Sequence, residues 1–131
     1  MAELIDGWST VLGIGTDLVE VNQIRVALER RPGLRERLFT ESEWEYAVRH
    51  RDPMPHLAAR FAAKEAVMKS LGVGIGAVSF TDIEVVRDPG GKPSVELAGR
   101  AARLAEDAGV TRFELSLTHT PSMAHAMVAA I

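Results

Sequence analysis

The chain has 131 residues, a formal net charge of −3 and no cysteine. That length suits a single domain with a real core, expected over 1–131. The missing thiols exclude disulfides, cysteine nucleophiles and sulfur-ligated zinc, and the acidic balance speaks against a dedicated nucleic-acid binder. With 47% hydrophobic and 25% charged residues, the chain reads as a soluble globular protein. No apolar run reaches membrane-span length. Met1 to Ser9 carries Glu3 and Asp6 in place of a basic region, so no secretion signal is read, no membrane contact is expected and a cytoplasmic location follows.

In chain order, Val11 to Val21 reads as a first strand, with Gly13 and Gly15 permitting close backbone approach and Asp17 towards its end. Asn22 is placed to cap a helix running to about Arg30, and Pro32-Gly33 separates it from a short helical piece, Leu34 to Leu38. Thr40 and Glu43 form a capping box for a helix ending near His50. After Asp52-Pro53-Met54-Pro55, the longest helix spans His56 to Leu71 and stops at Gly72. Val78 to Arg87 and Lys92 to Leu97 are strands of a hairpin about Asp88-Pro89-Gly90-Gly91. Gly99 to Ala108 is helical, and Phe113 to Thr118 and Ala124 to Ile131 are the last two strands. This order gives an α+β fold, with a mainly antiparallel sheet packed on the long central helix.

Asp17 and Glu65 each stand in apolar surroundings, Asp17 in strand-forming residues and Glu65 among Ala, Phe, Val and Met of the long helix. Two carboxylates drawn out of water call for a counter-charge. Mg2+ suits them, because it takes one or two protein carboxylates and completes its shell with water and phosphate oxygens. A Glu65–Lys69 ion pair at a helix surface fits the same spacing. Arg60 and Lys64, also four apart, share another side of the helix and suit a phosphate or diphosphate. The glycines 72, 74 and 76 fit either a helix stop with a turn or a backbone contact to ligand. His119 closes a strand before a proline turn, and a lone histidine there serves structure as readily as function. Five arginines between Arg25 and Arg37 face only Glu29 and Glu36. They form either a solvated helix face or a patch for an acidic partner. A magnesium-dependent nucleotide hydrolase and a non-catalytic nucleotide-binding module share these features.

The blocks Gly-Ile-Gly-Thr-Asp-Leu at 13–18, Arg-Phe-Ala-Ala-Lys-Glu-Ala at 60–66 and Ser-Leu-Thr-His-Thr at 116–120, with Gly90-Gly91-Lys92-Pro93 between them, give a more specific signal. In order and spacing the chain resembles the phosphopantetheinyl transferases of the small homotrimeric type, from about Leu12 to Ile131. Only residues 1–10 lack a counterpart. The resemblance implies a 4'-phosphopantetheinyl transferase-like fold and Mg2+-dependent transfer of phosphopantetheine from coenzyme A to a serine of an apo acyl carrier protein or a carrier domain of a fatty acid synthase. Adenosine 3',5'-bisphosphate is released, in support of fatty acid biosynthesis. It further implies Asp17 and Glu65 as metal ligands, with Glu65 and Lys69 catalytic. Arg60, Lys64, Gly74, Gly76, Lys92, Pro93, His119 and Thr120 would bind coenzyme A, at sites between subunits of a homotrimer. Gln23 stands where relatives carry a basic residue that meets the carrier, with Arg25 two residues on.

Overall fold

The computed structural model describes residues 10–131; the N-terminal extension expected over residues 1–10 lies outside them except for Thr10. Five strands and five helices follow the expected order: β1 (Gly13–Glu20), α1 (Val21–Arg30), α2 (Leu34–Leu38), α3 (Glu41–Val48), α4 (Met54–Ser70), β2 (Ile83–Arg87), β3 (Pro93–Leu97), α5 (Gly99–Asp107), β4 (Phe113–His119) and β5 (Met123–Ala130). All strand pairing is antiparallel, but in two sheets: β1-β5-β4, with β5 central, and the separate hairpin β2-β3. The long strand expected from Val78 is shorter because Phe80–Asp82 coils into a 3-10 turn before β2.

Capping explains most boundaries. Thr40 accepts from the Glu43 N–H while Glu43 Oε1 accepts from the Thr40 N–H, the reciprocal box that starts α3. Pro55 lies in the first turn of α4, where its missing N–H costs nothing, and Gly72 takes φ +73° just past the end. One expectation fails. Asn22 is not the cap of α1, because the helix already begins at Val21, and Glu20 precedes it without a side-chain cap.

Helix α4 is the axis of the molecule. Leu57, Ala58, Ala59, Ala62, Ala63, Ala66, Val67 and Met68 are buried on several sides of it, against β1, β5 and neighbouring helices. Its apolar residues therefore cover most of its circumference instead of one stripe. The approach to β1 is close enough to dictate sequence: a Cβ on Gly15 would stand 1.8 Å from the Ala66 carbonyl oxygen, and one on Gly13 would stand 1.9 Å from that of Ser70. Two residues further along the same face of β1 comes Asp17, so the glycines bring α4 down onto the strand beside that carboxylate.

Candidate active site

Asp17 lies on the helix-facing side of β1, with Gly13, Gly15 and Val19, and pairs with Ala126 of β5. Lys69, in the last turn of α4, donates to Asp17 Oδ1 at 3.1 Å and to the Thr16 carbonyl at 2.9 Å. Lys69 therefore crosses to the strand, and this contact replaces the Glu65–Lys69 helix-surface pair as its hydrogen bond. Glu65, partly buried one turn earlier on α4, has its carboxyl pushed up, first by burial and then by the Asp17 charge, against a smaller opposing effect of Lys69. Glu65, whose ionisation the Asp17 charge makes more costly, forms with Asp17 a pair of carboxylates beside Lys69 that fits a divalent cation. Mg2+ needs no third protein ligand when water and phosphate oxygens complete its shell.

The cations on α4 separate. The sequence places Lys64 with Arg60 on a phosphate-facing row; the structure corrects this for Lys64, which is 0% exposed. Its Nζ donates to Glu43 Oε1 at 2.6 Å and to the Phe80 carbonyl at 3.0 Å. Glu43 also accepts the Val85 N–H at 2.9 Å, so this buried pair joins α3, α4 and β2. Burial lowers the Lys64 ammonium below the usual lysine range, and the Glu43 carboxylate opposes that shift. A spacing of four residues fixed which side of α4 both cations share, not how deep each lies.

Arg60 is 1% exposed yet reaches a cavity wall. Its guanidinium lies 4.1 Å from the Tyr46 ring centroid and donates to the His56 carbonyl at 3.3 Å, while Nε makes no hydrogen bond. Arg87 also sits over Tyr46, 5.0 Å from the centroid. Together with Arg49, Ser42, Asp88 and Gly91, these residues surround a cavity of about 490 Å³. Burial and then Arg87 depress the Arg60 guanidinium from its ordinary value. A buried unpaired donor in a three-arginine cavity is suited to a phosphate. At its edge, the rings of His50 and His56 stack with centroids 3.6 Å apart, and His119 at the end of β4 meets His56 edge-on at 4.9 Å.

The remaining site residues lie in turns. Lys92 is exposed, its N–H bonded to Asp88 Oδ1 and its Nζ 3.5 Å from Glu114 Oε2. Pro93 pairs with Arg87 in the β2–β3 hairpin, which sets the Lys92-Pro93 segment beside the arginine cavity. Thr120 Oγ1 accepts from the Ser122 and Met123 N–H groups and fixes the β4–β5 turn that follows His119. Gly74 and Gly76 lie in the exposed loop after α4. Gly76 lines a separate groove of about 740 Å³ with Arg31, Arg37, Phe80 and Arg100, which shares no lining residue with the arginine cavity. Of the arginine patch, Arg25 is held by Asp52 at 2.9 Å, and Arg35 lies over Trp44 at 4.0 Å.

Residues 13–126 match the model of the 4'-phosphopantetheinyl transferase superfamily. The chain belongs to this family. It is 43% identical over 118 residues to the holo-[acyl-carrier-protein] synthase of Caldanaerobacter subterraneus subsp. tengcongensis, covering 90% of this chain and 93% of that protein. The crystal structure of the holo-[acyl-carrier-protein] synthase of Neisseria meningitidis superposes with a TM-score of 0.82 at 35% identity, over 93% of this chain and 99% of that one. That of Helicobacter pylori, in complex with coenzyme A, gives 0.79 at 29% identity over 90% and 99%. Family membership makes the chain a transferase and sets aside the hydrolase and the non-catalytic module.

Sequence reasoning missed Tyr46, Arg49, Arg87, His50 and His56. Arg87 had a local signal, since it immediately precedes the Asp-Pro-Gly-Gly turn beside Lys92-Pro93. Glu43 was read only as half of a capping box, and its second partner, twenty-one residues away, leaves no local trace.

Proposed function

We propose that this chain transfers 4'-phosphopantetheine from coenzyme A to a serine hydroxyl of an apo acyl carrier protein, with release of adenosine 3',5'-bisphosphate. The observation that carries the reading is the meeting of Asp17, Glu65 and Lys69 across β1 and α4, within the segment that matches the family. Residues 10–131 work as one domain.

Asp17 and Glu65 hold Mg2+, which when bound supplies electrostatic stabilisation to the diphosphate of coenzyme A. Arg60, Arg87 and His119 bind phosphate at the arginine cavity, and the Lys92-Pro93 hairpin borders it. The serine oxygen bonds to the phosphorus bearing pantetheine as the bond from that phosphorus to the bridging oxygen breaks, and adenosine bisphosphate leaves. The serine proton passes to Glu65, directly or through a water. Lys69, already beside Asp17, neutralises charge on the departing phosphate.

The outer face of the three-stranded sheet supports self-association. Ile14 is 69% exposed and Leu18 63%, and Met127 stands on the same side across β5. A homotrimer with sites between subunits is the proposed assembly, which light scattering measures. Among the described residues no helix is long and apolar enough to cross a membrane, in keeping with a proposed cytoplasmic location.

The test is mass spectrometry of an apo acyl carrier protein after incubation with the enzyme, coenzyme A and Mg2+. One phosphopantetheine per carrier is expected, and none with Asp17→Ala or Glu65→Gln of unchanged circular dichroism. Coenzyme A cleavage without carrier modification would refute the transfer. Near-parental transfer by both variants would refute the metal ligands.

A further inference from the structure

The three-histidine stack takes no part in the transfer chemistry of Asp17, Glu65 and Lys69. His56 is surrounded almost entirely by groups that resist its protonation. His50 comes from the turn after α3, Arg60 from α4, Arg87 from β2 and His119 from β4, while Tyr46 of α3 meets the ring edge-on. Asp52, whose charge interacts with His56, is already bonded to Arg25. His50 is fixed with Nδ1 facing the carbonyls of Tyr46 and Ala47, at 3.1 and 3.3 Å, so that nitrogen carries the proton. Burial, then His50, His119, Arg60 and Arg87 in that order, depress His56 to about 4. It is neutral near pH 6 in the free protein.

An anion seated on Arg60 and Arg87 reverses this field. The unpaired Nε of Arg60 marks where it enters. The protein meets two kinds of phosphate on coenzyme A. The ribose phosphomonoester carries up to two charges, its second ionisation falling at about 6; each phosphorus of the diphosphate carries one.

We propose that His56 is a specificity-determining residue for coenzyme A, taking up a proton as the ribose phosphomonoester settles against Arg60 and so favouring the coenzyme over its 3'-dephospho form. This rests on the coenzyme A reading of the site. If the bound complex returns His56 to its ordinary value of about 6.5, the ring is roughly three-quarters protonated at pH 6, and binding strengthens about fourfold relative to pH 8.

Isothermal titration of the full chain with coenzyme A and with 3'-dephospho-coenzyme A, at pH 6 and pH 8, in two buffers of different ionisation heat, counts the protons. Subtracting the values for His56→Phe, which keeps an aromatic ring in the stack, removes the ligand's own titration. With coenzyme A at pH 6, the parent protein is expected to take up at least about half a proton more than His56→Phe does, and far less with the dephospho form. The difference vanishes at pH 8. The preference for coenzyme A, taken as the ratio of parent to His56→Phe so that the ligand's own ionisation cancels, rises several-fold from pH 8 to pH 6. Equal proton uptake by the parent and His56→Phe, or equal uptake with both ligands, overturns the inference while leaving coenzyme A binding intact. Absence of coenzyme A binding at both pH values would instead defeat the coenzyme reading, and this inference with it. Should His56→Phe fail to fold, His56→Gln supplies the same comparison.

Discussion

Replacing Lys64 by Met tests whether this cation serves the fold or the ligand. The substitution leaves a flexible apolar side chain one heavy atom shorter and removes the ammonium, with its donation to the Phe80 carbonyl, in a position that is 0% exposed. Glu43 loses its Nζ donor at 2.6 Å and keeps two backbone N–H donors, from Thr40 and Val85. A buried carboxylate stripped of its cation costs about 3–5 kcal/mol, a large share of the roughly 5–15 kcal/mol that holds a domain of this size together. Urea unfolding should therefore show a loss of about 3 kcal/mol or more, and Tm should fall by roughly 10 °C. The double variant Glu43→Gln, Lys64→Met removes both charges and should recover at least half of the loss. Lys92→Met, which disturbs only an exposed 3.5 Å pair with Glu114, should cost under about 0.5 kcal/mol. Below its unfolding temperature, Lys64→Met should bind coenzyme A within a few-fold of the parent, whereas Arg60→Ala should lose tenfold or more. A folded Lys64→Met of parental stability, or one that loses coenzyme A as Arg60→Ala does, would refute the structural assignment.

Gly15→Ala drives a Cβ to 1.8 Å from the Ala66 carbonyl; because backbone meets backbone, α4 must shift, and thermal melts should show a loss of about 3 kcal/mol with transfer activity reduced in the remaining folded protein. His56 has a folded value of about 4 against 6.5 unfolded, so the unfolded chain binds the extra proton. Stability conferred by the neutral ring is present above pH 6.5 and is lost as pH falls towards 4. Undiscounted, the shift is worth about 3 kcal/mol, and partial exposure reduces it to about 1 kcal/mol. Between pH 6.5 and pH 4 the urea midpoint of the parent should fall relative to that of His56→Phe, the two running parallel above pH 6.5, and curves parallel throughout would contradict the cause. The double charge reversal Arg30→Glu, Arg31→Glu should raise the KM for apo carrier and flatten its salt dependence while coenzyme A affinity stays level. Arg25 is the poorer choice because Asp52 already engages it, and an unaltered KM at low and high salt would leave the patch a solvated surface.

The amino-acid sequence alone determined what rests on neighbours in the chain. The Thr40–Glu43 box, Pro55 at the start of α4, Gly72 at its end and the Asp-Pro-Gly-Gly turn are satisfied by hydrogen bonds and dihedrals a few residues apart, so those helix boundaries and the β2–β3 hairpin were legible. Gly13, Gly15 and Asp17 were legible as a set because alternation puts all three on one face of a strand. Only the tertiary structure decided depth and partners. Arg60 and Lys64 share a spacing, but Lys64 meets a carboxylate from another helix while the Nε of Arg60 remains unpaired. Lys69 passes over Glu65, four residues back, and bonds to a strand fifty-two residues away. The sheet divides in two, and His50 from the turn after α3, His56 from α4 and His119 from β4 gather at one place. Helical periodicity specifies which side chains point the same way; the field each one meets there is set by elements distant in the chain, and on that field depend the charge and chemistry of the site.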